Sequence, residues 1–478
     1  MYYKNATGGG AIFPKKLCSK SAANLITFDN ISYCLTIVAI NLHGIYFGWL
    51  QYKKKGNFSP TILGHVALIF YGALPVLFMF LAPNSSADLF GRYDLTNTNK
   101  ILLTYVVASF GCYVASILFR PAYAKPSSFV TLSGKIYVLT AIGGILLLWI
   151  YDRTWAQAGG IYGFLFSGQS RMALNQEVFG KSIYAFFNYY ILFKLFFSLA
   201  CLAMFSELKD KKKFSLLGYF SLGLISLFPL MNAMGGTRLI ALHAIILLFF
   251  SYAMYDRVQF KLRYIIIIVA LFMLFNFIGQ KRFAIRQCMA DKKFNFHALF
   301  EDSLALSLIP SESFTGYIPA YIIFDSGEEK FMESQYKKLI PRTVARIFRI
   351  EKKEHLSKLL AVHGKFARNL TVFTVPLPID AYFGLHKSYT LVAIYSFLIF
   401  SLFNWSANRL IIKRTFNGWF LYLMLIGLIW VYVRYDINRS FSRTWQSLIF
   451  LLPIIYLFYN QKAMRSPRCF RRKISSNV

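Results

Sequence analysis

The feature that most constrains this chain is a recurrence of apolar runs about 20 residues long, each enough to cross a bilayer as a helix. Eleven runs can be read, at roughly 31–50, 60–82, 101–119, 136–151, 183–206, 214–234, 237–255, 264–280, 388–407, 418–433 and 447–460. Of the 478 residues, 56% are hydrophobic and 15% charged, and mean hydropathy is +0.48. A soluble domain carries about a quarter charged residues. Disordered, collagenous and disulfide-framework classes are excluded. So is an outer-membrane barrel, whose segments would be about ten residues long with alternating polarity. The expected fold is all-α, a polytopic integral membrane protein of about 11–12 transmembrane helices with one large outer loop containing amphipathic helices.

Cysteine usage carries no signal. Cys18, Cys34, Cys112, Cys201, Cys288 and Cys469 are scattered, without metal-ligand or framework spacing. No metal or cofactor is expected. The first thirty residues lack the clean apolar core of a cleavable signal peptide.

Charge orders the spans. Lysine and arginine number 53 against 20 acidic residues, a formal +33. Four short loops are basic: Lys53–Lys55, Lys209 with Lys211–Lys213, Arg257 with Lys261 and Arg263, and Arg409 with Lys413 and Arg414. They fall on one side, together with the tail after 461. The positive-inside rule makes that side cytoplasmic. The same count puts the N-terminus outside with Lys4, Lys15, Lys16 and Lys20, an arrangement that one missed span would reverse. Nucleic acid is not an expected partner, because the excess charge is divided between two membrane faces.

The chain divides into an N-terminal bundle (1–280), a large outer loop (281–387), and C-terminal helices with a basic tail (388–478). The loop holds 17 basic and 11 acidic residues and four of the seven histidines, His297, His355, His363 and His386. Loops of this length are usually functional or folded in their own right. Within it, 303–324 is apolar enough for a re-entrant or interfacial segment. Inside the spans as bounded above there is no Asp or Glu, which argues against a cation-coupled pump. Lys194 is the one deep cation. It reads either as a side chain buried in the bundle or snorkelling through a thin region, or as a contact for an anionic lipid phosphate.

Of the 22 arginines, 13 fall on the outer side: Arg92, Arg153, Arg171, Arg238, Arg282, Arg286, Arg342, Arg346, Arg349, Arg368, Arg434, Arg439 and Arg443. Long loops escape the positive-inside rule, but the short loop with Arg434, Arg439 and Arg443 does not. Guanidinium groups suit bidentate recognition of phosphate or carboxylate. Pairing with outer-loop acids or lipid headgroups would account for them equally well. After Pro341, a residue suited to a first helical turn, Arg342, Arg346, Arg349 and Lys353 project within about 60° of one another at 100° per residue. Val344, Ile347 and Phe348 lie opposite. This amphipathic helix reads as lying on anionic headgroups or as lining a cavity for a pyrophosphate. Gly235-Gly236-Thr237 before Arg238 allows close backbone approach at a helix start, where anions are attracted, or forms a tight turn.

These residues resemble a known family. Gly327-Glu328-Glu329-Lys330-Phe331, Leu339-Ile340-Pro341-Arg342 and Glu351-Lys352-Lys353 are similar to the outer loop of the bacterial oligosaccharide repeat-unit polymerases, the Wzy-type O-antigen polymerases. Thr371 to Gly384, with Asp380, Tyr382 and Phe383-Gly384, resembles that family's segment before the next span. Gly236-Thr237-Arg238 resembles its Gly-Ser-Arg, and Lys281-Arg282 with Arg286 its following arginines. The chain departs from the family pattern in lacking the proline of a Lys-Pro after Ile-Pro-Arg, and in having Asp for the usual Glu. The likeness covers about 230–410 in motif and the whole chain in layout.

The resemblance implies a GT-C-like glycosyltransferase of the bacterial inner membrane. It would join repeat units carried on undecaprenyl pyrophosphate into O-antigen, capsule or exopolysaccharide on the periplasmic face, without a metal. The implied partners are the undecaprenyl-pyrophosphate-linked glycan, membrane lipids and a chain-length regulator. Charge grows on the departing pyrophosphate, and fixed cations in a dry site would stabilise it. Arg238, Arg282, Arg286, Arg342, Arg346, Arg349 and Arg368 are the expected binding residues. A base must reach the acceptor hydroxyl. His363 and Asp380 are the candidates, although His363 could be a structural loop histidine and Asp380 could pair with Arg368 or cap a turn. The rivals are an O-antigen ligase, with the same chemistry and another acceptor, and a lipid-linked oligosaccharide flippase, which would show 12 to 14 even spans and cations inside the bundle.

Overall fold

The computed structural model describes residues 28–55, 58–81, 97–121, 130–156, 159–162, 189–211, 215–234, 238–255, 375–412, 415–434 and 451–458, with single positions between 270 and 324 and between 444 and 449. The described residues are 93% helical and contain no strand. The helices are α1 (Phe28–Lys55), α2 (Thr61–Leu68), α3 (Leu74–Leu81), α4 (Thr98–Leu118), α5 (Val130–Thr154), α6 (Tyr189–Lys211), α7 (Leu216–Met234), α8 (Arg238–Tyr255), α9 (Leu377–Gly384), α10 (Tyr389–Ile412) and α11 (Phe416–Arg434). Seven helical stretches are long and apolar enough to cross a membrane. Two shorter apolar helices, Leu216–Asn232 and Ile240–Tyr255, fall on the sixth and seventh expected spans. The eighth expected span is described only at 270, 274 and 277, whose spacing of four and three keeps to one helical face.

Two groups of helices meet at α11. On one side α4 lies along both α1 and α10, and α2 lies against α1 and α4. On the other, α5 and α6 run together, with α7 and α8 against them. α11 touches α2 and α10 from the first group and α6 and α8 from the second. The closest approach is at Gly111 on α4. A Cβ there would overlap the Ala393 carbonyl and lie 2.9 Å from the Phe397 nitrogen on α10. Only glycine lets these two backbones come so near.

The first group is joined by side-chain hydrogen bonds. His65 of α2 lies against Gly44 of α1 so tightly that a Cβ on Gly44 would overlap its ring. Its Nδ1 lies 2.7 Å from Asn41 Oδ1, and its Nε2 lies 2.9 Å from Ser116 Oγ of α4. An amide oxygen only accepts, so the ring proton sits on Nδ1. Asn41 Nδ2 donates to Ile37 O and to Ser109 Oγ, each at 2.7 Å. Ser59 donates to Asn404 of α10 at 2.7 Å, and Asn404 Nδ2 reaches Ala115 O at 3.4 Å. Buried polar atoms on four helices thus satisfy one another where no water would.

Between α2 and α3 the chain makes a π-helical turn, Ile69–Ala73. The wider turn re-aims Tyr71 toward α11, where Trp430 Nε1 donates to its hydroxyl at 3.1 Å.

The helix ends that lead into the basic loops meet at one end. Tyr52 of α1 donates to Ala253 O of α8, Lys209 of α6 lies over the Tyr255 ring, and Asn408 of α10 donates to Arg120 O beyond α4. The other end holds Asn97, α9 and the end of α11. α5 and α6 run beyond the expected span ends and bring in Asp152, Glu207 and Asp210. Glu207 is buried at the basic end. It accepts from Tyr137 Oη (3.0 Å), Lys211 Nζ (3.0 Å), Ser215 N (3.3 Å) and Ser215 Oγ (3.1 Å). Asp152 accepts from Ile161 N at 2.8 Å and closes the turn after α5. All three carboxylates lie toward helix ends rather than mid-span, where the sequence leads one to expect none.

Two expectations follow. Gly111→Ala should lower the unfolding temperature in detergent by several degrees, an overpacking cost of about 1–3 kcal/mol. Gly134→Ala, on an open surface with nothing within 4 Å, should not. Glu207→Ala strands Tyr137 and the Ser215 amide and should cost about 2 kcal/mol, read in the same thermal scan.

Candidate functional site

The end opposite the basic loops is where the long 281–387 segment rejoins the bundle. Pro376 and Pro378 fix the first turn of α9, with Asp380 N donating to Pro376 O at 2.9 Å. The helix stops within eight residues because the chain turns left-handed at His386 (φ 56°) and Lys387 (φ 57°). Non-glycine residues rarely adopt that conformation. Here two backbone bonds hold it, Leu385 N to Ala381 O at 2.8 Å and Lys387 N to Tyr382 O at 2.9 Å.

Helix α9 is buried against α4, α10 and α11. Asp380 is 4% exposed, within electrostatic reach of Tyr395 on α10, which in turn is near Tyr432 on α11. Thr444 Oγ1 donates to the Tyr432 hydroxyl at 3.4 Å. An aromatic group covers the same place: Phe324 lies 5.8 Å from Tyr382 and 5.1 Å from Phe383, and Tyr382 lies 5.0 Å from Tyr389. Phe324 is one of three buried helical positions, with Tyr317 and Ala320, inside the apolar stretch expected to be re-entrant. Its carbonyl accepts from Asn97 Nδ2 at 3.2 Å, which ties that stretch to the start of α4. Asp380 is thus a buried carboxyl near Tyr395, and a carboxylate can take a proton from a bound hydroxyl group.

Asp380 is the one expected catalytic residue within the described part of the chain. His363, Arg282, Arg286, Arg342, Arg346, Arg349 and Arg368 lie outside the described residues, as does the basic helix expected after Pro341. Arg238 is the first residue of α8, as Gly235-Gly236-Thr237 implied for a span start. Arg434 is the last residue of α11, with Nε and Nη1 buried. Lys194 is 1% exposed, so of its sequence readings the snorkelling one is set aside. Among the described residues no group of three His, Cys, Asp or Glu could hold a metal.

The sequence reading passed over Tyr190, Tyr395, Tyr432 and His243. His243 left a signal, a histidine inside an apolar run. The tyrosines left none, since tyrosine is common throughout this chain. No family model matches the chain, and no curated protein or solved structure matches it either.

The site itself predicts a separation of effects. Asp380→Asn keeps the shape of the side chain and should leave the unfolding temperature within about 2 °C. Asp380→Leu, which puts an apolar side chain where a buried carboxyl stands near Tyr395, should lower it by the equivalent of about 1–3 kcal/mol.

Proposed function

We propose that this chain polymerises lipid-linked oligosaccharide repeat units at the outer face of a bacterial inner membrane. The donor is a growing glycan on undecaprenyl pyrophosphate and the acceptor a new lipid-linked unit. The observation that carries the reading is Asp380, a buried carboxylate on a short helix at the end of the bundle away from the basic loops. It lies where the long segment with the Ile-Pro-Arg motif returns to the membrane.

On this reading Asp380, or His363 upstream of it, accepts the proton of the acceptor hydroxyl as that oxygen bonds to the anomeric carbon. The bond from that carbon to the pyrophosphate oxygen breaks, and negative charge collects on phosphate. Arg238 and the arginines at 282, 286, 342, 346, 349 and 368 would supply fixed positive charge for it, so no metal is needed. Tyr389, half-buried beside Tyr382, suits the stacking of a sugar face.

A deletion strain tests the reading. Surface glycan should show a single repeat on a gel, and wild-type protein should restore the ladder. Arg342→Ala should fail to restore it. Asp380→Asn or His363→Ala should shorten the polymer, and full length in both would remove these residues as the base. Long polymer stranded on undecaprenyl pyrophosphate would instead identify a ligase. The buried Lys194 favours one further alternative, a flippase, for which repeat units would remain on the cytoplasmic face.

A further inference from the structure

Three helices bring a second set of polar side chains together inside the bundle. Lys194 lies on α6, whose most apolar stretch is 89% buried, so this helix faces protein rather than lipid. Helical side chains lean toward their own N-terminus. The ammonium of Lys194 accordingly reaches back over the ring of Tyr190, one turn earlier, 4.7 Å from its centroid. The Tyr190 hydroxyl lies 2.8 Å from Nε2 and 3.1 Å from Nδ1 of His243 on α8. His243 Nε2 is also 3.1 Å from the Gly427 carbonyl of α11. A carbonyl only accepts, so Nε2 carries the ring proton and Nδ1 accepts from the tyrosine.

Gly427 borders the cluster. A Cβ there would lie 3.5 Å from Lys194 Cδ and 3.8 Å from His243 Cδ2, so a longer side chain would enter the cluster.

The cluster is shallow. His243 is five residues from the start of α8, about 7.5 Å at 1.5 Å per residue, and Lys194 belongs to the same cluster. Both helices start at the end away from the basic loops. Arg238 begins α8 there, and Arg434 ends α11, seven residues beyond Gly427 or about 10 Å along the axis. Helices α7, α8 and α11 contain no Asp or Glu. The charged residues they place at this end, Arg238 and Arg434, are all cationic. Elsewhere at this end α5 carries Asp152 with Arg153 and α9 carries Asp380, while Lys194 itself lies in a low-dielectric setting that strengthens its pull on an anion.

We propose that Lys194, Tyr190 and His243 form an anion-binding site that takes a phosphate or pyrophosphate group entering from this end. The inference rests on the polymerase reading only for the identity of the natural ligand, a polyprenyl pyrophosphate. The ammonium supplies the charge, and the bond from the Tyr190 hydroxyl to His243 holds in place the ring over which that ammonium lies.

The test is thermal unfolding of the purified full chain with farnesyl pyrophosphate, inorganic pyrophosphate or farnesol. A ligand that binds the folded state raises the unfolding temperature. Farnesyl pyrophosphate should raise it and farnesol should not. Lys194→Met, close in shape and uncharged, should weaken the apparent affinity at least tenfold, and Tyr190→Phe about threefold. A shift with inorganic pyrophosphate as well would show that the headgroup suffices. A shift with farnesyl pyrophosphate alone would show a lipid-borne phosphate as the ligand. No shift in wild type, an equal shift with farnesol, or an undiminished shift in Lys194→Met would overturn the proposal. Should Lys194→Met not fold, an undiminished shift in both Tyr190→Phe and His243→Gln would do so. A normal glycan ladder in the deletion strain, together with a shift that depends on Lys194, would remove the polymerase reading and leave the site standing.

Discussion

Hydrocarbon offers no hydrogen-bond partners, so every polar atom carried into it must find one within the protein. The bonding of His65 with Asn41 and Ser116, and of Asn41 with Ser109, meets that demand for α1, α2 and α4 together. Each helix alone would leave a side-chain donor or acceptor stranded, at about 1–3 kcal/mol apiece. Together they fix rotation as well as contact, because the ring of His65 fits only where Gly44 offers no side chain. The close backbone approach of α4 and α10 then sets where α9 can lie, and α9 carries Asp380.

The second group of helices is held differently. Its members meet largely through aliphatic and aromatic side chains, and its charged groups stand toward the two ends. Glu207 with four donors closes one end, and Lys194 with Tyr190 and His243 lies near the other. α11 belongs to both groups, with Trp430 turned to Tyr71 and Gly427 turned to His243. Its position makes the spacing between the two polar regions a property of one helix.

Much of the bundle was legible because apolar run length is a one-dimensional property. Runs at 101–119 and 388–407 became α4 and α10 with ends moved by a few residues. The ends moved because helices continue past the hydrocarbon boundary, as α6 does through Glu207 to Lys211. The π turn in the second run was not legible, since Ile69 to Ala73 contains no proline or polar break to mark it. Asp380 was visible through its setting between a proline-rich stretch and a Phe-Gly. Tyr395 and Tyr432 were not, because their relation to Asp380 depends on how α9, α10 and α11 cross. His243 and Lys194 are 49 positions apart in sequence, and only the packing of α6 on α8 and α11 brings them to one place.

The left-handed pair His386–Lys387 has a mechanical consequence. The joint between α9 and α10 is short, doubly hydrogen-bonded and set in a conformation with little freedom. It behaves as a stiff elbow rather than a hinge. A pull on the chain ahead of α9 would be delivered as torque on α10, and from there across the Gly111 contact to α4. The long segment is thereby geared to α10 and α4 through a joint that does not give.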